Sequence, residues 1–325
     1  MPNTNNEVDY SDLRLFSGSS NRPLAEAIAK ELGVELSPLT LEQFANGEIY
    51  ARYDCSVRGA DVFLVQSVAG QNVNDMLMEL LIAIDAAKRA SARRITAVIS
   101  HYGYARQDRK ASPREPITAA LVAKMLEAAG ADDIITLDLH QGQIQGYFGI
   151  PVNHMYALPL FGKYYAQKGF DLDNLVVVSP DVGRAKAAKK LSDMLGCELA
   201  IAHKGRPKHN AAEVTGIIGN IEGKTCIIND DMIDTAGTLC ASIRELKKLG
   251  AGDIYVCATH GIFSGPAVER LNDAPIEECV VTDAIPVKET GKIKVLSVAP
   301  QFAQAIKAVY TNSPVSDVIG GDFAL

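Results

Sequence analysis

The segment 230–238 joins two adjacent carboxylates to a loop of small residues. Asp230 and Asp231 follow the apolar run 226–229, and the loop leads into a helical pattern. Backbone N–H groups at a helix N-terminus bind anions such as phosphate, whereas carboxylates suit vicinal hydroxyls or a metal. A phosphorylated sugar satisfies both halves, and a capped turn after a strand is the structural alternative. The other predicted ligands are Asp234, Thr235, Ala236, Gly237 and Thr238.

A basic segment, H-Y-G-Y-A-R-Q-D-R-K at 101–110, follows the apolar run 95–99. Ligands of open α/β sheets lie beyond the carboxyl ends of the strands. Arg106, Arg109 and Lys110 are therefore candidates for polyphosphate contacts, and Tyr102 or Tyr104 for a contact with a base. The alternative is a solvated basic loop.

Two further predicted strand ends carry side chains that bind metals. His140 ends the motif I-T-L-D-L-H, and Asp181 ends the motif V-V-S-P-D. A histidine and an aspartate from different strand ends can share a divalent metal directly or through water. The alternative for His140 is a purely structural role.

The segment H-K-G-R-P-K-H at 203–209 is basic and contains Gly and Pro. Such a segment beside a phosphate site is typical of a mobile lid that neutralises charge in the transition state. A solvated surface loop is the alternative.

Short β-rich runs alternate with amphipathic helical patterns along the whole chain. The runs 62–65 and 176–178 are apolar on both faces, which is typical of parallel strands covered by helices. We therefore predict a doubly wound α/β architecture in two domains, 10–157 and 158–325. The predicted strands are 13–16, 62–66, 95–99, 134–137, 175–178, 198–202, 226–229, 254–258, 279–281 and 294–296, and the helices are 75–90, 116–129 and 239–249.

The composition excludes several classes of protein. The net charge of −7 lacks the basic excess of most proteins that bind nucleic acid. The longest apolar stretch, 76–84, is too short to span a membrane, and the polar N-terminus lacks the pattern of a signal peptide. None of the six cysteines forms a C-x-x-C pair. We expect a cytoplasmic protein with reduced thiols.

Several motifs together resemble those of class I ribose-phosphate pyrophosphokinases. The sequence D-D-M-I-D-T-A-G-T at 230–238 is similar to the phosphoribosyl diphosphate loop of type I phosphoribosyltransferases. The segments Y-G-Y-A-R-Q-D-R-K, S-P-R-E-P-I-T-A, D-L-H-Q-G-Q-I-Q-G and V-V-S-P-D extend the likeness from about residue 13 to the C-terminus. The resemblance implies two similar α/β domains with mostly parallel sheets, like type I phosphoribosyltransferases.

The resemblance also implies an activity, a metal and an assembly. A diphosphoryl group of ATP would pass to the C1 hydroxyl of ribose 5-phosphate, giving 5-phosphoribosyl 1-diphosphate and AMP for nucleotide biosynthesis. Mg²⁺ would be required, and the chains would assemble as homohexamers, without nucleic acid or membrane as a partner.

Individual residues match the family's functional positions. Asn46, Gly47 and Glu48 match a segment that contacts ATP from a neighbouring subunit, and Arg106 and Gln107 match further ATP contacts. The metal positions are His140 and Asp181, and the catalytic positions are Lys204 and Arg206. The ribose 5-phosphate positions are Arg206, Asp230, Asp231, Asp234, Thr235, Ala236, Gly237 and Thr238.

The chain departs from the family's pattern beside these positions. Arg184 and Ala187 stand where the motif D-x-G-G-x-x-R has its second Gly and its Arg. Gly205 lies inside the lysine-arginine segment, and Asn229 replaces an apolar residue. A divergent regulatory or weakly active paralogue is therefore one alternative. A phosphoribosyltransferase is the other, although the segments at Asn46 and Arg106 argue against it.

Overall fold

The computed structural model describes residues 8–208 and 211–316, and for 203–208 and 211–215 it describes the backbone alone. The helices and strands are, in chain order, β1 (Leu13–Ser17), α1 (Arg22–Leu32), β2 (Leu39–Gln43), β3 (Ile49–Tyr53), β4 (Asp61–Ser67), α2 (Val73–Arg89), β5 (Arg94–His101), α3 (Thr118–Ala129), β6 (Asp133–Leu137), β7 (Val152–Met155), α4 (Leu158–Ala166), β8 (Leu175–Ser179), α5 (Ala185–Leu195), β9 (Glu198–Lys208), β10 (Ala211–Ile218), β11 (Thr225–Ile233), α6 (Gly237–Lys248), β12 (Ile254–Gly261), α7 (Ala267–Asp273), β13 (Glu278–Thr282), β14 (Ile293–Leu296) and α8 (Ala299–Tyr310). Short 3-10 turns lie at Gly142–Tyr147, Leu172–Asn174 and Val182–Arg184.

The first compact unit is built on a parallel sheet of strand order β1-β4-β5-β6-β7. All residues of β4 are buried, and the apolar run 62–65 at its centre is buried as predicted. The apolar stripe of α2 confirms its predicted core face, because Leu80 and Ile84 pack into the same buried cluster as Val62. The four strands predicted in this half are confirmed.

An antiparallel hairpin, β2–β3, is a separate small sheet in this unit. Tyr53 anchors it, because its ring packs edge-on against Phe16 with centroids 4.6 Å apart. The Tyr53 hydroxyl also donates to the carbonyl of Ala83 in α2, at 2.9 Å. The sequence did not predict the hairpin, because its residues are only partly buried and lack a clear apolar run.

The second unit has a sheet of strand order β10-β9-β8-β11-β12-β13-β14. Its strands are parallel apart from β10, which pairs antiparallel with β9. The chain leaves β8 toward β9 on one side and later returns to β11 on the other side. The sheet therefore has a topological switch point between β8 and β11, and the space beyond such a point is the usual ligand site of open α/β sheets.

The six strands predicted in the second half are confirmed, but β9, β11 and β12 extend three or more residues beyond their predicted ends. Pairing with β10 extends β9 to Lys208, and pairing with β12 extends β11 to Ile233. Buried aliphatic and cysteine side chains fill the core of this unit, among them Val176, Ile228 and Val256. The predicted α/β class is thus confirmed for both units. Among the described residues, every helix is too short or too polar to cross a bilayer.

The last helix, α8, belongs to the first unit. That unit contains the chain up to Met155 and the segment that begins at Val298, and the second unit contains Tyr156–Ser297. The expected boundary at 157/158 lies near the first division, whereas the expected second domain continued to residue 325. The apolar face of α8, which includes Phe302 and Ile306, is buried, and a run of helical pattern alone does not reveal which sheet it covers.

Arg94, the first residue of the central strand β5, connects α8 to the first sheet. Its guanidinium donates to the carbonyl of Val309 at 2.9 Å and to Oδ1 of Asn312 at 3.2 Å. It also pairs with the buried carboxylate of Asp61 at 2.9 Å. A cation at the C-terminus of a helix satisfies carbonyls that have no partner within the helix.

We expect Arg94→Met to lower the free energy of unfolding by about 1–3 kcal/mol, because it leaves a buried carboxylate and helix-terminal carbonyls less well satisfied. Urea unfolding monitored by circular dichroism measures the change. Arg89→Met removes a solvent-exposed ion pair with Asp85 and is the matched control, with an expected loss below about 0.5 kcal/mol. Equal losses in the two variants would contradict this role of Arg94.

Candidate functional site

Asp230 and Asp231 lie within β11, beyond the point where its neighbour β8 ends. The register pairs β8 with β11 only as far as Ile228, while pairing with β12 continues through Ile233. The two acids therefore lie at the switch point, on a strand that has lost one neighbour. Asp231 is buried and Asp230 is partly buried, with 26% of its side chain exposed.

The loop after β11 turns within a few residues into α6. Ala236 has the left-handed conformation, with φ of 56°, and α6 begins at Gly237. Thr235 and Thr238 are exposed at this turn. The first N–H groups of a helix have no partner within the helix, so the start of α6 presents donors and hydroxyls to solvent, as expected for an anion site.

Hydrogen bonds from the segment after β12 and from α7 hold the backbone of this loop in place. The backbone N–H of Ser264 donates to the carbonyl of Asp234 at 3.0 Å, and that of Ile262 donates to the carbonyl of Ile233 at 2.9 Å. From α7, Nη1 of Arg270 donates to the carbonyl of Thr235 at 2.8 Å. The sequence analysis missed Arg270, because a single arginine on an amphipathic helix carries no distinguishing signal.

Asp181 lies directly after β8 and caps the turn that precedes α5. Its Oδ1 accepts a hydrogen bond from the backbone N–H of Arg184 at 3.1 Å, and its carbonyl accepts one from the hydroxyl of Ser179 at 2.6 Å. The orientation of the Asp181 carboxylate is therefore fixed by local backbone structure. No described residue donates a hydrogen bond to its Oδ2.

The side chain of Arg184 approaches the acid pair. Its Nε lies 3.8 Å from Oδ1 of Asp230, and the same oxygen accepts the backbone N–H of Asp231 at 2.9 Å. The sequence showed Arg184 as a departure from the family's pattern but not its contact with Asp230.

The side chain of Asp230 is a weaker acid than an ordinary aspartate. Burial, followed by repulsion from the Asp231 carboxylate, raises the pKa of Asp230 to about 7, and Arg184 opposes the rise. An adjacent acid pair in a partly dry site favours sharing one proton. Such a pair becomes fully ionised most easily when a ligand supplies hydrogen-bond donors or positive charge.

In the first unit, the predicted metal ligand His140 follows β6 and is partly exposed. The preceding loop is held by β7, because the N–H of Leu139 donates to Nε2 of His154 at 2.9 Å and that of Asp138 donates to the carbonyl of Met155 at 2.9 Å. Accepting at Nε2 requires that the proton of a neutral His154 be on Nδ1. Nδ1 lies 3.2 Å from the side-chain amide of Gln145.

The segment after β5 exposes its basic residues and buries one of its tyrosines. Arg106, Gln107, Arg109 and Lys110 are exposed, whereas Tyr102 is in the core, with its hydroxyl donating to the carbonyl of Ala119 at 3.0 Å. Of the two tyrosines considered for contact with a base, Tyr104 alone is partly exposed. A side-chain bond holds Gln107, whose Oε1 accepts from the hydroxyl of Thr118 at 2.5 Å.

The tip of the β2–β3 hairpin carries Asn46, Gly47 and Glu48, all exposed. Gly47 has φ of 90°, a conformation that favours glycine. The side chain of Asn46 fixes the turn by accepting from the N–H of Glu48 at 3.2 Å. Phe44, at the same tip, is 53% exposed, which is unusual for a large apolar side chain next to polar neighbours.

Lys204 and Arg206 lie in β9, where Lys204 is in register with Val214 of β10. Their side chains lie outside the described residues. The backbone thus continues as a hairpin strand through most of the segment predicted to be a lid.

The described residues contain no group of three or more His, Cys, Asp or Glu side chains that could hold a metal on their own. One carboxylate and one imidazole, Asp181 and His140, are the donors that the sequence analysis selected. Mg²⁺ usually takes only one or two protein carboxylates and completes its octahedron with water and substrate phosphates. Asp181 in the second unit and His140 in the first are each a side-chain type that binds divalent metals, and either could bind a metal that arrives with a phosphorylated substrate.

Comparison with known proteins gives consistent matches. Residues 13–130 match the model of the N-terminal domain of ribose phosphate pyrophosphokinase, and residues 207–319 match the phosphoribosyl synthetase-associated domain. A ribose-phosphate pyrophosphokinase of Fusobacterium nucleatum is 49% identical over 96% of this chain and 99% of its own length. One of Clostridium tetani is 52% identical over 95% and 97%. The crystal structure of a phosphoribosylpyrophosphate synthetase from Mycobacterium smegmatis aligns with a TM-score of 0.86 at 45% identity, over 93% of this chain and 100% of that chain.

We expect Asp230→Asn to stabilise the protein, by an amount that increases with pH. The pKa of Asp230 is about 7 in the folded protein and 3.8 when unperturbed. The unfolded chain therefore loses this proton first, and the stability of the native protein falls as pH rises from about 4 to about 7. Asparagine cannot ionise, so the gain should be at least about 1 kcal/mol larger at pH 8 than at pH 4.5.

Urea unfolding at the two pH values measures this difference. Asp193→Asn removes an exposed carboxylate of the same unit and should show little change with pH. A gain for Asp230→Asn that is independent of pH would contradict the raised pKa of Asp230.

Proposed function

The chain belongs to the ribose-phosphate pyrophosphokinase family, and from this premise we propose which of its residues carry the reaction. The reaction transfers the diphosphoryl group of ATP to the C1 hydroxyl of ribose 5-phosphate, giving 5-phosphoribosyl 1-diphosphate and AMP. The observation that carries the assignment is the adjacency of the acid pair in β11 to the braced loop at the start of α6.

Ribose 5-phosphate binds at this loop of the second unit in our proposal. The 5-phosphate accepts hydrogen bonds from the backbone N–H groups and hydroxyls of Thr235 through Thr238, at the positive end of α6. Asp230 and Asp231 accept from the ribose hydroxyls. Hydrogen-bond donors thus bind the phosphate end and carboxylate acceptors bind the ribose hydroxyls. This difference fixes the orientation of the sugar phosphate and directs C1 away from the loop.

ATP contacts come from the exposed groups of the first unit. Arg106 supplies a guanidinium for the phosphates and Gln107 supplies a side-chain amide whose carbonyl is already held by Thr118. Asn46, Gly47 and Glu48 contact the ATP of a neighbouring subunit, since a rigid, exposed hairpin tip is suited to reach outward.

Mg²⁺ is the proposed metal, held by His140 and Asp181 together with substrate oxygens. When bound, it neutralises negative charge on the phosphates. The chain prepares this site by fixing both donors: Asp181 through the N–H of Arg184, and the loop of His140 through His154.

Lys204 and Arg206 are the proposed catalytic cations. Phosphoryl-type transfer depends on positioning and charge neutralisation rather than on covalent chemistry. As the C1 hydroxyl attacks the β-phosphorus, negative charge develops on the β-phosphoryl oxygens and on the departing AMP. The β9–β10 hairpin carries both residues, so it can supply this positive charge as a unit, with Arg206 also reaching the ribose phosphate.

We also propose that the protein is cytoplasmic. Among the described residues, all six cysteines are free thiols, which fits the reducing conditions of a cytoplasm.

The reaction is tested by incubating the purified protein with ATP, Mg²⁺ and ribose 5-phosphate and identifying the nucleotide released. AMP is expected. ADP would indicate a simple kinase, and the absence of turnover would favour the regulatory paralogue considered from the sequence.

Within this assay, Lys204→Ala should lower kcat by roughly 10²–10³, the scale of one donor to developing charge. The KM for ribose 5-phosphate should change much less, because the contact forms mainly in the transition state. Lys248→Ala removes an exposed lysine of the same unit and is the control. A Lys204→Ala enzyme with near-normal kcat would exclude the catalytic role.

Sharing of the ATP site between subunits is tested by mixing two variants. Glu48→Ala and Lys204→Ala should each be weakly active alone. If each site takes Glu48 from one subunit and Lys204 from another, random exchange restores up to about a quarter of the wild-type activity. Activity that stays at the level of the separate variants after exchange, verified by mass spectrometry of tagged subunits, would place both residues in one subunit's site.

A further inference from the structure

Arg184 touches both of the carboxylates that define the switch point of the second unit. Its backbone N–H donates to Oδ1 of Asp181 at 3.1 Å, and its side-chain Nε lies 3.8 Å from Oδ1 of Asp230. Asp181 follows β8 and Asp230 lies in β11, so a single residue connects the two neighbouring strands at their ligand-binding ends. The family-level assignment gives roles to the two acids and none to this arginine.

The side chain of Arg184 is largely buried, with 16% of it exposed. Its Nε is buried and makes no hydrogen bond within the described part of the chain. A guanidinium removed from water without a full set of partners is costly, and such a group gains most from a nearby carboxylate. At 3.8 Å the Nε and Asp230 form an ion pair rather than a close hydrogen bond, so the guanidinium retains donors for a ligand.

The charged and titratable groups that face Asp230 come from three elements. Asp231 is its neighbour in β11, Arg184 precedes α5, and Cys257 lies in the adjacent strand β12, where it is fully buried. Arg184 is the cation among them. Without it, the Asp230 carboxylate would lose the cation that opposes the effects of burial and of Asp231 on its pKa.

We propose that Arg184 is a positioning residue for the sugar phosphate: its guanidinium favours the charged form of the Asp230 carboxylate and orients it toward the ribose hydroxyls. The inference rests on the proposed ribose 5-phosphate site. The role of the side chain is separate from that of the backbone, because the N–H that holds Asp181 is present whatever side chain stands at position 184.

Because the side chain and the backbone of residue 184 have separate roles, a substitution can remove one and keep the other. Arg184→Met keeps the length of the side chain and the backbone hydrogen bond to Asp181, but removes the charge beside Asp230. At pH 7 the KM for ribose 5-phosphate should rise roughly tenfold, the effect of shifting the pKa of one carboxylate by about one unit. The KM for ATP and the Mg²⁺ concentration for half-maximal activity should stay within about twofold, since these do not use the side chain.

The rise in the KM for ribose 5-phosphate should depend on pH and on charge. Near pH 8.5 the rise should be smaller, because Asp230 is then mostly ionised in both proteins. Arg184→Lys retains a cation at similar reach and should recover most of the affinity for ribose 5-phosphate. Lys189→Met, which removes an exposed lysine from α5, is the control for loss of positive charge and should resemble the wild type.

Binding of ribose 5-phosphate measured by calorimetry, without ATP, keeps this test independent of the reaction. A wild type that binds the sugar phosphate but releases no AMP would overturn the proposed function and leave the inference testable. The inference itself is overturned if Arg184→Met binds ribose 5-phosphate as the wild type does, if Arg184→Lys is as impaired as Arg184→Met, or if the ATP and Mg²⁺ dependences worsen equally. Urea unfolding of each variant confirms that it is folded under the assay conditions.

Discussion

The acid pair Asp230–Asp231 is the constraint on which the second unit's site depends. Two adjacent carboxylates in a strand are unfavourable in a dry interior, and the fold accommodates them only because β8 ends before β11 does. Beyond Ile228, β11 has a sheet neighbour on one side and an open crevice on the other. The switch point therefore supplies partial solvation and a place for a ligand at the same position. Burial and repulsion from Asp231 still raise the pKa of Asp230, as expected for an acid pair that is only partly solvated.

The apolar core made most of the architecture predictable. A strand buried on both faces has a continuous apolar run at its centre, and β4 and β8 show this in Val62–Val65 and Leu175–Val178, with polar residues only at their ends. The helical stripe of α2 was equally clear. The hairpin β2–β3 and the C-terminal helix α8 were harder for different reasons. The hairpin is half-exposed, so its periodicity is weak. The position of α8 on the first unit depends on tertiary contacts such as those of Arg94, which no local pattern encodes.

The site could be predicted where its chemistry is local. The sequence order of acids, small residues and helix start in 230–238 is itself the binding element, so reading it required no knowledge of distant contacts. Arg184 and Arg270 act through partners 46 and 35 positions away in the chain, respectively, Asp230 and Thr235. Long-range pairs of this kind follow from sheet order. The order β8-β11 was not readable from the strands' sequences, because the apolar runs Leu175–Val178 and Cys226–Ile228 do not specify which strand each one pairs with.

The backbone at Ala236 is strained, and this strain allows the chain to pass directly from β11 into α6. A residue with a Cβ atom in the left-handed region costs about 1 kcal/mol or more relative to an ordinary conformation. Ala236 nevertheless has φ of 56°, and its side chain is buried, where a glycine would leave space. The chain reverses there from strand to helix, so α6 begins at Gly237, only four residues after Ile233. Hydrogen bonds from Ile262, Phe263, Ser264 and Arg270 hold the carbonyls immediately before the turn. These bonds hold the backbone of the loop in place just before the helix begins. The strain at one alanine is thus the local consequence of placing phosphate donors and hydroxyl acceptors on the same edge of one sheet.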